Sequence, residues 1–140
     1  MTVLVVDASV WVAAAESNDR FWALSRDFLN AATKPDITVA VPEFAELEVA
    51  CALARRLRNP SAGRRLCGEV LQIFAVHVHS TDTATLRSAV TVGTGQFLRA
   101  GDAVYATLAK REGALLISWD HELVSRAGAI TPEQWLKDQS

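Results

Sequence analysis

The chain has 140 residues, half of them hydrophobic and 21% charged, with a net charge of -2. That length suits a single domain over residues 1–140 with a real core, and the near-neutral charge excludes a global pull toward nucleic acid, so such a contact needs a local basic patch. No apolar run approaches membrane-spanning length, and Asp7 interrupts the first apolar run with no basic segment before it, so the expectation is a cytoplasmic protein without a signal peptide.

Val3 to Val6 read as a buried parallel strand, a short β-branched run that ends on a carboxylate. Asp7 then falls at the strand's carboxyl end, where open α/β sheets place their ligand crevice. It reads equally as a loop residue or a cap for the next helix. Ser9 is expected to cap a short helix through Ala15. Ser17-Asn18-Asp19 is a turn and a second cap, and Phe21, Leu24, Phe28 and Leu29 recur at helical spacing over residues 20–32. Lys34-Pro35-Asp36 breaks that helix, and Ile37 to Val41 is a second strand.

Pro42 fits the first position of a long helix running to about Arg58 and stopped by Asn59-Pro60. Ser61 is expected to cap the next, through Ile73, with Leu66, Val70, Leu71 and Ile73 as its apolar side. Ala75 to Val78 is a third strand, and Thr81-Asp82 starts a helix ending near Gly93. After a connection from Thr94 to Ala100, Gly101-Asp102 opens a helix to Arg111, closed by Gly113. Ala114 to Ser118 is a fourth strand, Asp120 caps a helix to Arg126, Gly128 to Ile130 is a marginal fifth strand, and Thr131-Pro132-Glu133 starts a final helix. Strands alternating with helices predict an α/β fold, a mostly parallel central sheet with helices on both faces.

Cys51 and Cys67 lack metal-ligand spacing and read as reduced, structural thiols. Four acids resist a simple structural account. Asp7 and Asp120 each follow a strand, Asp120 two positions after Ser118. Asp102 sits in a helix's first turn, where the dipole stabilises a carboxylate and keeps it ionised. Glu48 lies past the first turn of the Pro42 helix, and its neighbours Phe44, Ala45, Cys51 and Ala52 include no base to pair with. A solvated face would explain it, as would a carboxylate reaching between small residues into a crevice. Glu43 and Glu46, nearer the helix start, read as structural. Clustered carboxylates raise one another's pKa, and a divalent cation removes that penalty. All-oxygen sites suit Mg²⁺ or Mn²⁺, and their usual chemistry is displacement at phosphate.

Val5-Val6-Asp7-Ala8-Ser9, Val41-Pro42 with Glu48 to Leu53, Gly101 to Ala106, and Leu116 to Asp120 together resemble the PIN-domain nucleases, and within them the VapC-type toxins of bacterial toxin–antitoxin pairs. The resemblance implies a PIN-like three-layer α/β/α sandwich and a metal-dependent endoribonuclease whose products carry a 5′-phosphate and a 3′-hydroxyl. It puts the family's acids on Asp7, Glu48, Asp102 and Asp120, with Ser9 and Ser118 as supporting hydroxyls. A Mg²⁺ or Mn²⁺ ion would be held mainly by Asp7, Glu48 and Asp102, Asp120 serving a second ion or the attacking water. It further implies a homodimer, a cognate antitoxin, and an RNA substrate, with tRNA and rRNA as candidates. The alternative is a non-catalytic PIN-like module that binds RNA or protein. Ser118 in place of the commoner threonine, and Trp119 beside Asp120, depart from the family pattern without removing an acid.

Arg99 is a candidate phosphate contact, whereas Arg55, Arg56, Arg58, Arg64 and Arg65 read mostly as solvated helix faces. His77 and His79 read as an edge-strand surface pair, and His121 carries no catalytic role. Trp11, Trp22 and Trp135 suit a core or a dimer contact, leaving Trp119 as the tryptophan beside the crevice. A phosphate-accepting receiver domain would need a lysine after a strand, and Lys34, Lys110 and Lys137 are not so placed. A nucleotide-binding enzyme would need a glycine-rich loop where Asp7-Ala8-Ser9-Val10-Trp11 stands.

Overall fold

The first strand, β1 (Thr2–Val6), buries Leu4, Val5 and Val6 completely. In the computed structural model, which describes residues 1–74 and 76–140, β1 lies between β2 (Ile37–Pro42) and β4 (Leu115–Ile117). A strand covered on both faces has no polar side, hence its unbroken apolar run. All three ladders are parallel, and the order among the described residues is β3-β2-β1-β4, with β3 (His77–His79) at one edge.

Parallel neighbours need crossovers, and helices supply them. α1 (Ala8–Ala15) and α2 (Trp22–Ala31) join β1 to β2, and α3 (Ala45–Leu57) and α4 (Pro60–Ile73) lead on toward β3. Both steps run the same way across the sheet, so right-handed crossovers put α1 to α4 on one face. α5 (Thr83–Gln96) and α6 (Ala100–Glu112) return to β4 over the other face, α6 packing on β1, β2 and β4. α7 (His121–Ala127) and α8 (Pro132–Asp138) follow, α8 against α2. Trp11, Phe28 and Leu53 fill one interlayer, Tyr105 and Leu108 of α6 the other.

Several element ends depart from the sequence reading. Pro42 ends β2 and does not start a helix; it pairs with His79, and α3 begins only at Ala45. Its missing N–H is tolerated because the strand stops there. The cap of α1 is Asp7, one residue before the helix, and not Ser9. Asn59, not Ser61, caps α4, with Pro60 in the first turn. α2 starts at Trp22, after Asp19 has accepted the Phe21 N–H at 2.8 Å. Gly93 does not end its helix: α5 runs to Gln96 and stops at Phe97 in the left-handed region. The glycine is needed for contact instead, since a Cβ there would lie 2.7 Å from the Ala103 Cβ of α6. Ile73 is exposed, leaving Val70 and Cys67 as the buried face of α4. The fifth strand reduces to one parallel bridge between Ile130 and Ile117, and the Ala75 start expected for β3 lies outside the described residues. Cys67 is buried and Cys51 exposed, so only the former fills a structural place; both are free thiols.

α3 and α4 pack closely at Gly63, where a Cβ would fall 2.7 Å from the Ala54 nitrogen and Cβ. Backbone cannot yield as a flexible side chain can. Gly63→Ala is therefore expected to cost about 1–3 kcal/mol, the range for overpacked interiors. The check is the urea midpoint of unfolding, which should fall.

Candidate metal centre

Parallel register pairs Val6 with Ile117, so the chain leaves the two strands with Asp7 beside Ser118. The Asp7 N–H donates to the Ile117 carbonyl at 2.9 Å. Its carboxylate, 5% exposed, accepts the Ser118 hydroxyl at 2.8 Å and the Ser9 N–H at 3.3 Å, both on Oδ2. Ser118 has one proton and gives it to Asp7, so Ser9 is the donor in the 3.3 Å contact between the two hydroxyls. Ser9 Oγ in turn accepts the Trp119 N–H at 3.1 Å, and Ser118 Oγ accepts the Asp120 N–H at 2.9 Å. The two serines thereby tie the end of β1 to the turn that carries Asp120.

Asp120 caps α7, its Oδ1 accepting the N–H groups of Glu122 at 2.8 Å and Leu123 at 3.3 Å. Asp102 stands in the first turn of α6. One carboxylate oxygen each from Asp102, Asp120 and Glu122 lie within 4.8 Å of one another. Glu122 was not among the acids singled out from sequence, where it reads as a first-turn residue stabilised by the helix dipole. Its spacing was the available signal: two residues after a capping aspartate, it returns to the same end of the helix. Arg99, the residue before α6, bridges all three acids, with Nε 3.1 Å from Asp102, Nη2 2.6 Å from Asp120, and Nε 3.4 Å from Glu122. The guanidinium expected as a phosphate contact thus faces the three acids through Nε and Nη2.

Glu48 arrives from α3. Because α3 starts at Ala45, Glu48 shares the first turn with Glu46 and does not lie past it. What distinguishes them is burial: Glu46 is exposed, while Glu48 Oε1 is buried without a hydrogen-bond partner among the described residues. Gly101 makes room for Glu48 beside Asp102, since a Cβ there would stand 3.1 Å from Glu48 Oε2. The Tyr105 hydroxyl, one turn along α6, faces Glu48 and the Ala8 backbone without a complete hydrogen bond among the described residues.

Burial pushes the Asp7 carboxyl above its ordinary pKa, with the charge of Asp120 adding and the serine hydrogen bonds opposing. Glu48 is raised by burial and by the charges of Asp7 and Asp102, Tyr105 opposing. Asp102 is raised by burial, then pulled back by Arg99 and raised further by Asp7 and Asp120. The fold thus brings Asp7, Glu48, Asp102 and Asp120 to one sheet edge, each within reach of another's field. They are not equally close: the tight group is Asp102, Asp120 and Glu122, with Asp7 and Glu48 coupled to it from beyond that spacing. The donors are all oxygen, and Glu48 Oε1 and Asp7 Oδ1 accept no hydrogen bond among the described residues. Acceptor-only atoms left so in a half-buried crevice fit a hard divalent cation.

A groove of about 420 Å³ runs from Ser9, Glu48 and Asp120 to Arg20, Phe21 and Trp119. Trp119 forms its wall, stacked on Phe21 at 4.0 Å and 7° and donating Nε1–H to Ser25 at 2.8 Å. Arg20 covers Phe21 at 4.5 Å from the ring centroid. Arg56 pairs with Asp19 at 2.5 Å and Arg65 with Glu69 at 3.6 Å, while Arg55, Arg58 and Arg64 are exposed. His77 and His79 lie on the edge strand, His79 3.5 Å from Glu112, and His121 is exposed at the start of α7. Trp11 and Trp135 are core residues, while Trp22 is 36% exposed.

The family model for the PIN domain matches residues 4–129, and the chain belongs to that family. Among solved structures it is similar to PAE2754 from Pyrobaculum aerophilum, with a TM-score of 0.74 and 25% identity over 98% of this chain and 88% of that one. The same fold is found in the toxin VapC20 from Mycobacterium tuberculosis, described as cleaving the sarcin-ricin loop (TM-score 0.71, 18% identity, 91% of this chain and 96% of that one). It is found again in FitAcB from Neisseria gonorrhoeae (TM-score 0.65, 16% identity, 93% and 98%). No curated protein matches the chain in sequence.

Raised carboxyl pKa values have a sign in stability: such a group favours folding in acid, and that contribution is lost as pH rises through its folded pKa. Asp7→Asn keeps the shape and the helix cap but removes the charge. In chelator, it should raise the melting temperature at neutral pH by roughly 3–4 °C, about 1 kcal/mol. Thermal melts across pH check this, and the gain should vanish below the ordinary aspartate value of 3.8.

Proposed function

We propose that the protein is a divalent-metal-dependent endoribonuclease acting as the toxin of a toxin–antitoxin pair. The observation that carries this reading is the convergence of Asp7, Glu48, Asp102 and Asp120 on one crevice, where burial and mutual charge raise three of their carboxyl pKa values. Such an arrangement costs stability unless a cation offsets it. Asp7, Glu48 and Asp102 would hold the Mg²⁺ or Mn²⁺ ion. Bound there, it would supply Lewis acidity toward the scissile phosphate and a lowered pKa for a coordinated water.

The chain's own residues set the geometry. Ser118 and Ser9 hold Asp7 and the Asp120 turn in fixed relation, and neither hydroxyl is free to act as a nucleophile. Asp120, whose Oδ2 keeps a lone pair beyond its bond to Arg99, would orient the attacking water. The groove beside Glu48 and Asp120 offers an approach for a strand of RNA, with Arg20 as a cation at its wall. The likeness to the toxin VapC20 supports the toxin assignment, as does the likeness to a toxin–antitoxin complex from Klebsiella pneumoniae. A cognate antitoxin, a homodimer and a cytoplasmic site of action belong to the same reading. No helix among the described residues is long and apolar enough to cross a membrane.

RNA cleavage by the purified chain should require Mg²⁺ or Mn²⁺, stop in EDTA and return when metal is restored; full activity in EDTA would exclude metal catalysis. Asp102→Asn should lower the rate by more than the roughly 10–100-fold typical of groups that only orient a metal ligand. Cleavage with metal present but unaffected by that substitution would remove Asp102 from the centre. Expression alone should slow bacterial growth, and harmless accumulation of active protein would count against the toxin role.

A further inference from the structure

Whether the centre takes one metal ion or two depends on which carboxylate oxygens are already engaged. Asp120 gives Oδ1 to two backbone N–H groups of α7 and Oδ2 to the Arg99 guanidinium at 2.6 Å, so a cation already stands at its outer oxygen. Glu122 faces a cation with each oxygen, Oε2 3.4 Å from Arg99 and Oε1 3.1 Å from Arg126. Asp102 gives Oδ2 to Arg99 at 3.1 Å and keeps Oδ1 without a hydrogen bond among the described residues. Asp7 Oδ1 and Glu48 Oε1 are likewise without a partner. Among the described residues, the oxygens without any partner therefore belong to Asp7, Glu48 and Asp102, while every oxygen of Asp120 and Glu122 already faces a guanidinium or a backbone N–H.

We propose that Arg99 supplies the second positive charge of the centre in place of a second metal ion, and positions Asp102 and Asp120 around a single one. This inference rests on the metal-centre reading and adds to it the number of ions. A second ion at Asp120 would have to displace the guanidinium, because the two cations need the same oxygen and repel one another. Arginine suits the place because its planar fork reaches carboxylates on two different helices at once, which a lysine's point charge does not do with the same geometry. Its position just before α6 fixes its register: three residues ahead of Asp102, it spans the start of that helix and the start of α7. Glu122, held from the far side by Arg126, steadies the guanidinium. Arg99 is thus a positioning residue.

The test is titration of the full chain with Mn²⁺ alone, without RNA, counting bound ions from the loss of the free-Mn²⁺ electron paramagnetic resonance signal. Wild type should bind one ion per chain. Arg99→Ala and Arg99→Gln should each bind two, and Arg99→Lys, which keeps a charge at the same oxygens, should stay at one. Adding Glu122→Gln to Arg99→Ala should weaken the second ion at least tenfold and leave the first unchanged. Two ions in wild type, or only one in both neutral variants, would overturn the proposal while leaving the metal centre intact. No bound ion in any variant would overturn the metal-centre reading itself, and this inference with it.

Discussion

The parallel pairing of β1 with β4 is the constraint on which the site depends. Strand side chains alternate faces, so a one-residue slip would turn Asp7 away from Ser118 and break the link between them. In the observed register, Val6 and Ile117 pair inside the sheet and the next residue on each strand faces the crevice. Ser118 then reaches both ways, donating to Asp7 and accepting from the Asp120 backbone. The arrangement needs no loop to find its own place, since each acid is carried on a strand end or in the first turn of a packed helix. Precision at the site is inherited from the sheet and from the close contact of α6 with it.

Structural and functional roles coincide in these acids. Asp7 caps α1 and Asp120 caps α7, each interaction worth about 1 kcal/mol in a typical protein. Against that stands repulsion: two like charges roughly 5 Å apart repel by about 3 kcal/mol at an effective dielectric constant near 20, and by less than 1 kcal/mol in water. The half-exposed acids lie between those limits, and Asp7, almost wholly buried, lies toward the costly one. Capping alone therefore does not account for gathering these carboxylates. A cation does, and the structure contains one such solution already in Arg99, which binds the exposed half of the cluster and leaves the buried half with unpaired oxygens.

Trp119 shows how neighbouring residues shape access without joining the chemistry. Its ring closes one wall of the groove, held by Phe21 on its face and by Ser25 at its nitrogen. A bulky residue between Ser118 and Asp120 is tolerated because only their backbone and hydroxyl positions enter the serine network, while the indole turns toward α2.

The alternation of apolar runs with helical periodicity was enough to establish the α/β class, because burial on both faces of a parallel sheet leaves its mark on composition. Asp7, Glu48, Asp102 and Asp120 each also had a local reading, as a cap, a first-turn acid or a solvated residue, and it was their joint resemblance to the PIN-domain pattern that set them apart. Element ends were less legible. Pro42 and Gly93 carry familiar boundary signals, yet one ends a strand and the other makes room for a packed helix, and only the neighbouring element decides which. Distances and partners were not legible at all. Glu122 and Arg99 join the acidic group through contacts between α6 and α7, which local spacing does not encode, and the opening at Gly101 has meaning only once Glu48 is brought against it. Sequence determines which residues carry charge and which must be buried; the tertiary structure decides which charges meet, because proximity between distant segments is set by sheet register and helix packing.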